Sequence, residues 1–93
     1  MKVRSKIIVV DHFNRILNNK DCINSVFILG YFYLHGIGID VDLSNAFSLF
    51  VISAEGNHLL AQHLIGICYE FGYGTKKDVT LAFNSYEKVA NAN

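Results

Sequence analysis

The chain has 93 residues, of which 52% are apolar and 17% are charged, and its charges sum to zero when histidine is neutral. This balance disfavours nucleic-acid binding, because neutralised phosphates supply much of the affinity of nucleic-acid-binding proteins. No apolar run approaches the roughly 18 residues of a membrane span, so we expect no membrane insertion. The apolar excess indicates more apolar surface than a free-standing domain of this size needs, and a partner that covers part of it.

The N-terminus and the cysteines indicate the cellular setting. Residues 1–10 resemble a signal peptide only superficially, because the apolar run stops after four residues at Asp11. Cys22 and Cys68 are too few to form a disulfide framework. We therefore expect a reduced, cytoplasmic protein.

The chain repeats itself with a period of 36 residues, which aligns residues 25–57 with residues 61–93 without a gap. Average residue usage would give only about two identities over such a span. The identical pairs are Gly30/Gly66, Tyr33/Tyr69, Gly36/Gly72, Gly38/Gly74, Asp42/Asp78, Ala46/Ala82, Phe47/Phe83, Ala54/Ala90 and Asn57/Asn93. The chain therefore contains two copies of one structural unit.

Apolar residues at helical spacing predict an all-α chain of about five antiparallel helices, uninterrupted by proline. These helices are expected at about residues 6–18, 22–34, 43–54, 58–71 and 79–91. The predicted organisation is a single domain with a leading helix or degenerate repeat (1–20) and two repeats (22–57 and 58–93).

Local signals support these boundaries. Gly36 and Gly38 predict a helix end and a tight turn, since glycine tolerates positive φ. Asp42 and Asp78 predict N-caps of the helices that follow.

A glycine inside each first helix costs about 1 kcal/mol relative to alanine, so a gain at the same position is expected to offset it. We predict that Gly30 and Gly66 allow close approach of the neighbouring helix. Ala46 and Ala82 are expected to form the matching small surface.

The pattern Leu29-Gly30-x-x-Tyr33-x-x-Gly36-x-Gly38, with Asp42, Ala46, Phe50 and Ala54 after it, resembles a Sel1-like repeat, and the second copy resembles it equally well. The resemblance covers residues 25–93 and implies a short right-handed α-solenoid related to tetratricopeptide repeats. It also implies adaptor or scaffold work through the solenoid surface. The departures are Ser25 for an alanine, Asn45 and Leu81 where a basic residue is common, and Ala92 for the closing glycine.

No residues predict catalysis, a cofactor or a metal site. The sequence has no His-x-x-x-His or Cys-x-x-Cys spacing, and the Gly-x-Gly loops follow helices and lack the lysine of a phosphate-binding loop. We therefore predict that the chain is not an enzyme. A small-ligand or metal-binding protein is a lesser alternative, which a ligand-dependent rise in melting temperature would reveal.

An apolar stripe on the first helix of each repeat is the candidate partner-binding surface. Its residues lie about half a turn from Leu29, Gly30 and Tyr33, which are expected to face the core. The stripe is either additional core or an exposed groove for a protein or peptide. The candidate partner-binding residues are Phe27, Ile28, Tyr31, His35, His63, Leu64, Ile67 and Phe71.

Two functions remain open from the sequence. The first is an adaptor or scaffold, and the second is a structural or regulatory spacer, a fragment of a longer array attached to a signalling protein. The last predicted helix carries Phe83, Tyr86 and Val89 without a polar capping helix after it. End-to-end self-association is therefore a further expectation.

Overall fold

The fold is an array of helices packed in chain order. The computed structural model describes residues 19–92, in which the helices are α1 (Lys20–His35), α2 (Leu43–Glu55), α3 (Leu59–Phe71) and α4 (Val79–Asn91). Each helix packs against the next one along the chain, and the described range contains no strand. The predicted all-α solenoid is confirmed, whereas the leading helix predicted at residues 6–18 lies outside the described residues. We call α1 with α2 the first unit and α3 with α4 the second.

Side-chain caps fix where the helices begin. The Asp42 carboxylate accepts a hydrogen bond from the Asn45 N–H at 3.0 Å, and Asp78 accepts one from the Leu81 N–H at 3.0 Å. Both predicted N-caps are therefore confirmed. α1 begins two residues before the predicted position because the Asn19 side chain accepts from the N–H groups of Asp21 and Cys22.

Left-handed glycines end the first helix of each unit. Gly36 has φ 69° and Gly72 has φ 75°, and their N–H groups donate to the carbonyl oxygens of Phe32 and Cys68. The loop then returns to the helix end, since the N–H of Asp42 donates to the Tyr33 carbonyl oxygen at 3.0 Å. The second unit repeats this turn from Gly72 onward, as predicted.

The joint between the units is short and uses a different turn. Asn57, not the glycine before it, adopts positive φ, at 66°, a conformation that asparagine tolerates better than most residues. The His58 side chain then caps α3, because its Nδ1 accepts a hydrogen bond from the Ala61 N–H at 3.2 Å. This helix therefore begins at Leu59 rather than at His58.

The core lies where the two units meet. Its most buried large side chain is Phe50 of α2, which packs 5.6 Å from the ring of Phe27 in α1. Ser53 is also fully buried, and its hydroxyl donates to the Leu49 carbonyl oxygen at 2.9 Å. The remaining residues of this cluster are Ala46, Ala61 and Cys68.

The helical glycines permit close packing, as predicted, but their partners are aromatic rings. A Cβ atom on Gly30 would lie 2.9 Å from Cε1 of Phe50, and one on Gly66 would lie 2.5 Å from Cε1 of Tyr86. Ala46 and Ala82 are buried but are not the surfaces nearest these glycines. The predicted alanine partner surface was therefore wrong, because a flat ring fills the space that a missing side chain leaves open.

Leu29 was expected in the core, yet 43% of its surface is exposed. Its equivalent in the second unit, Ile65, packs against the core. Ile65 lies beside Val51 and Ala54 of the first unit, and this contact covers part of its side chain. The sequence stripe therefore marks a repeat surface whose burial depends on the neighbouring unit.

Candidate functional site

An apolar groove lies between α1 and α3. Four side chains from α1 and two from α3 line it, and it encloses about 400 Å³. Residues one turn apart on a helix share a face, which aligns Ile28 with Phe32 and Leu60 with Leu64. The lining residues are Phe27, Ile28, Tyr31, Phe32, Leu60 and Leu64.

The rim of the groove is open to solvent while its floor is closed. Leu60 is 53% exposed, Ile28 is 48% exposed and Tyr31 is 40% exposed. Phe27 belongs to the core and forms the floor. The groove thus presents exposed apolar side chains, including Phe32, over a buried floor, and none of its lining side chains is charged.

His58 packs against the floor of the groove without lining the groove itself. Its ring stacks on Phe27 with centroids 4.4 Å apart and planes 16° from parallel. Burial lowers the pKa of His58 below its usual 6.5, and a neutral Nδ1 is required to accept the hydrogen bond from Ala61. This side chain therefore connects the floor of the groove to the start of α3.

The structure brings together half of the predicted partner-binding residues. Phe27, Ile28, Tyr31 and Leu64 line the groove, and the His35 ring lies 4.4 Å from that of Tyr31. The stripe on α1 is therefore partly core, at Phe27, and otherwise an open surface.

The other three predicted residues lie elsewhere on the second unit. His63 faces α4, with its ring 5.4 Å from that of Tyr86, and Ile67 is half-buried outside the groove lining. Phe71 lies in a separate cleft and stacks on Tyr73. On α3 the groove contacts only the first two turns, at Leu60 and Leu64, so the half-turn offset places these three residues outside the groove lining.

Two lining residues were not predicted as site residues. Phe32 and Leu60 lie one helical turn from Ile28 and Leu64, respectively. Leu60 stands at the position of Asn24 on the predicted stripe but was left out of the candidate residues, and extending the stripe by i+4 on α1 would have identified Phe32.

A second cleft lies at the far end of the array, beside α4, and encloses about 430 Å³. The Tyr86 hydroxyl donates to Glu70 Oε1 at 2.6 Å along its wall. Burial, this hydrogen bond and the charge of Glu70 raise the pKa of Tyr86 to about 12. Phe83, at 64% exposure, stands open on the same surface.

A third cleft, of about 560 Å³, lies between α2 and α4. Its lining mixes apolar residues with charged ones, including Glu55, Glu87 and Lys88. This composition is that of an ordinary solvated surface, so the apolar groove between α1 and α3 is the better candidate for binding.

The described residues offer little reactive chemistry. Residues 19–92 contain no cluster of three or more histidine, cysteine or acidic side chains that could hold a metal ion. Cys22 is exposed, whereas burial raises the pKa of Cys68 to about 11 and disfavours its reactive thiolate. None of the helices described is both long enough and apolar enough to cross a bilayer.

Known proteins similar to this chain share its repeat. The Sel1 repeat family profile matches residues 24–58 and 59–93. Chitin synthase regulatory factor 3 of Schizosaccharomyces pombe is 31% identical over 67 residues, which are 71% of this chain and 7% of that protein. Protein sel-1 homolog 2 of Mus musculus is 29% identical over 63 residues, 68% of this chain and 9% of that protein.

A solved structure agrees with the sequence matches. The crystal structure of a Sel1 repeat protein from Oxalobacter formigenes superposes with a TM-score of 0.70 at 31% identity, covering 81% of this chain and 29% of that one. This chain therefore spans only a small part of the length of these relatives. With two consecutive family matches over the two helical hairpins, the chain belongs to the Sel1 repeat family.

Proposed function

We propose that the chain is a protein-interaction module that binds an apolar segment of a partner protein in the groove between α1 and α3. The observation that carries the proposal is the open rim of Ile28, Tyr31 and Leu60 over a buried floor. Large exposed apolar patches normally mark interaction sites, and tyrosine is among the residues that concentrate binding energy.

The shape of the groove favours a helical or extended segment with apolar anchors. Its lining comes from two helices and contains no charged side chain. Burial of apolar surface would therefore supply most of the affinity for a partner. Binding in this groove should therefore respond weakly to salt. A partner held mainly by ion pairs would show the opposite behaviour.

Family membership supports the same proposal. Sel1 repeats commonly mediate protein interactions, and the name of one relative describes it as a regulatory factor of chitin synthase. By analogy, we propose that this chain acts on other proteins through contact and performs no reaction of its own. Its two free thiols fit the reducing conditions of the cytoplasm, which we propose as its location.

Affinity capture with matched variants tests the proposal. The immobilised chain is compared with Leu60→Glu, which places a charge on the groove rim, and with Phe83→Glu, which places one on the equally exposed α4 surface. We expect a reproducible set of partners that Leu60→Glu loses and Phe83→Glu retains. Circular dichroism of all three chains establishes that each is folded.

A second experiment tests whether a captured partner binds in the groove. A captured partner is divided into peptides, and the binding segment is titrated against the chain and against Tyr31→Ala. A loss of affinity of tenfold or more in Tyr31→Ala is expected for an anchor residue. Equal affinity of the chain, Leu60→Glu and Tyr31→Ala for every partner would refute the groove.

The alternative is that this part of the chain is a structural or regulatory spacer. The observation that favours it is the small share of each relative that the chain matches, which is 7% of the chitin synthase regulatory factor. A spacer contacts its own polypeptide only. Failure to capture any partner with a folded chain would support this second function.

A further inference from the structure

His58 lies at the point where three helices meet. Its backbone N–H donates to the Ser53 carbonyl oxygen of α2 at 3.1 Å, and its ring stacks on Phe27 of α1 with centroids 4.4 Å apart. Its Nδ1 accepts a hydrogen bond at 3.2 Å from the N–H of Ala61, in the first turn of α3. One titratable side chain therefore joins the floor of the apolar groove to the start of the helix that completes the groove.

The hydrogen bond at Nδ1 exists only while the His58 ring is neutral. A neutral imidazole accepts at one nitrogen and carries its proton on the other, whereas imidazolium has two N–H groups and no acceptor. Protonation would therefore place an N–H group of the ring against the Ala61 N–H. It would also add a positive charge at the N-terminus of α3, where the helix dipole disfavours one. The side-chain cap of α3 is lost in the acid form, whether or not the ring stays stacked on Phe27.

The charges around His58 offer an imidazolium no compensation. The cleft that contains this ring is lined by Lys20, Ile23, Asn24, Gly56, Asn57, Leu59 and Leu60. Lys20 is the charged side chain in this lining, and Asp21 beside it on α1 is outside the lining. Glu55, at the end of α2, lines the separate cleft between α2 and α4, and the first turn of α3 has no acidic residue. Among the described residues, a protonated His58 would thus meet a like charge in its cleft and no carboxylate.

The first turn of α3 also carries part of the groove rim. Leu60, two residues after His58, lines both this cleft and the groove, and it is 53% exposed. A second link between this turn and α2, from Gln62 Nε2 to the Ala54 carbonyl oxygen, is long at 3.5 Å. Farther along the helix, Leu64 packs against the core. Loss of the cap would therefore loosen Leu60 before it loosens the rest of α3.

We propose that His58 is a pH-sensitive switch of the groove: when its ring takes up a proton, the first turn of α3 opens and Leu60 leaves the rim. The inference rests on the proposed function, since it concerns the regulation of the same site. A partner binds the neutral form more tightly than the protonated form, so its affinity falls as the pH drops. Because one proton is linked to binding, the fall is at most about tenfold per pH unit below the pKa of the ring.

Nuclear magnetic resonance of the folded chain, between about pH 8 and pH 5, tests the switch without a partner. The Ala61 N–H and the Leu60 methyl groups should change chemical shift with the same midpoint as the His58 ring. Protection of the Ala61 N–H from hydrogen exchange, relative to an unfolded peptide at the same pH, should fall by about tenfold or more. The Cys22 N–H is the internal reference and should keep its protection, because the asparagine side chain of Asn19 that caps it does not titrate.

Two variants assign the response to one histidine. His58→Asn supplies an acceptor that does not titrate, so this variant should lose the pH response of Leu60 and Ala61. His63→Asn is the matched control and should keep the response, because His63 lies on the same helix but faces Tyr86 of α4. A His58 ring that stays neutral down to pH 5, an Ala61 N–H that does not follow the ring, or a response that persists in His58→Asn would overturn the proposal.

Failure of the switch can be told apart from failure of the groove. A captured peptide that depends on Leu60 yet binds equally well at both ends of the pH range would refute the switch and leave the proposed function standing. A chain whose first α3 turn opens with the protonation of His58, but which captures no peptide, would confirm the opening and refute the groove as a binding site.

Discussion

The ring of Tyr86 lies against Gly66 at a distance that leaves no room for a side chain, since an added Cβ atom would stand 2.5 Å from Cε1. Phe50 occupies the same place beside Gly30 in the first unit. In each unit, therefore, one aromatic ring of the second helix packs directly against the backbone of a glycine in the first helix.

The first prediction concerns this ring. Alanine favours a helix over glycine by about 1 kcal/mol, yet Gly66→Ala should lower the free energy of unfolding by about 1–3 kcal/mol because the methyl group overlaps Tyr86. Urea denaturation measures the change. In a Tyr86→Ala background the same substitution should stabilise the chain. An equal effect in both backgrounds would show that the ring is not the cause.

The second prediction compares two equivalent phenylalanines. Phe47→Ala should cost about 1–3 kcal/mol, because its ring packs on Tyr69 across the junction of the units. Phe83→Ala should change stability by less than about 0.5 kcal/mol in the monomer, since this side chain is exposed. Thermal unfolding of dilute samples provides the comparison. Equal losses for the two variants would contradict a junction held by Phe47.

The third prediction is a pH dependence at His58. Burial lowers the pKa of the folded state below 6.5, so the unfolded chain binds more protons and stability rises with pH through this window. The free energy of unfolding should therefore fall as the pH drops below 6.5, where protonation also removes the acceptor for the Ala61 N–H.

His58→Asn is the control for that effect. Asparagine is a good N-cap without a charge that titrates, so this variant should keep the cap and flatten the acidic loss relative to the unaltered chain. His58→Ala should lose about 1 kcal/mol at neutral pH. An acid profile unchanged in His58→Asn would assign the loss to another group.

The fourth prediction concerns the thiols. Cys22 is exposed, whereas burial raises the pKa of Cys68 to about 11, so a thiol reagent at neutral pH should modify one cysteine rapidly and the other only through unfolding. The Cys22→Ser variant should lack the rapid phase. Rapid modification of Cys22→Ser would contradict the burial of Cys68.

Local features were predictable from the sequence because each depends on few neighbouring residues. The two aspartate caps, the left-handed glycine ends and the helix order all followed from residue type and from the repeat. The turn at Asn57 and the cap by His58 did not, since a histidine acceptor depends on its protonation and its stacking on Phe27.

The lining of the apolar groove was predictable only in part. The stripe on α1 located Ile28 and Tyr31, but the side of α3 that meets it depends on how the units rotate against each other, which placed Leu60 in the groove and Ile67 outside it. The exposure of Leu29 and Phe83 could not be predicted from residue type. Equivalent positions in the two repeats carry similar residues, and their exposure depends on which neighbouring unit covers them.

The close approach of Gly74 to the Leu43 carbonyl also limits the spacing between the two hairpins. In solenoid proteins, small rotations from one repeat to the next accumulate into the curvature of a superhelix. A side chain at residue 74 would push the two hairpins apart. In a protein of many such repeats, the residue at this loop position would then affect the local curvature of the superhelix.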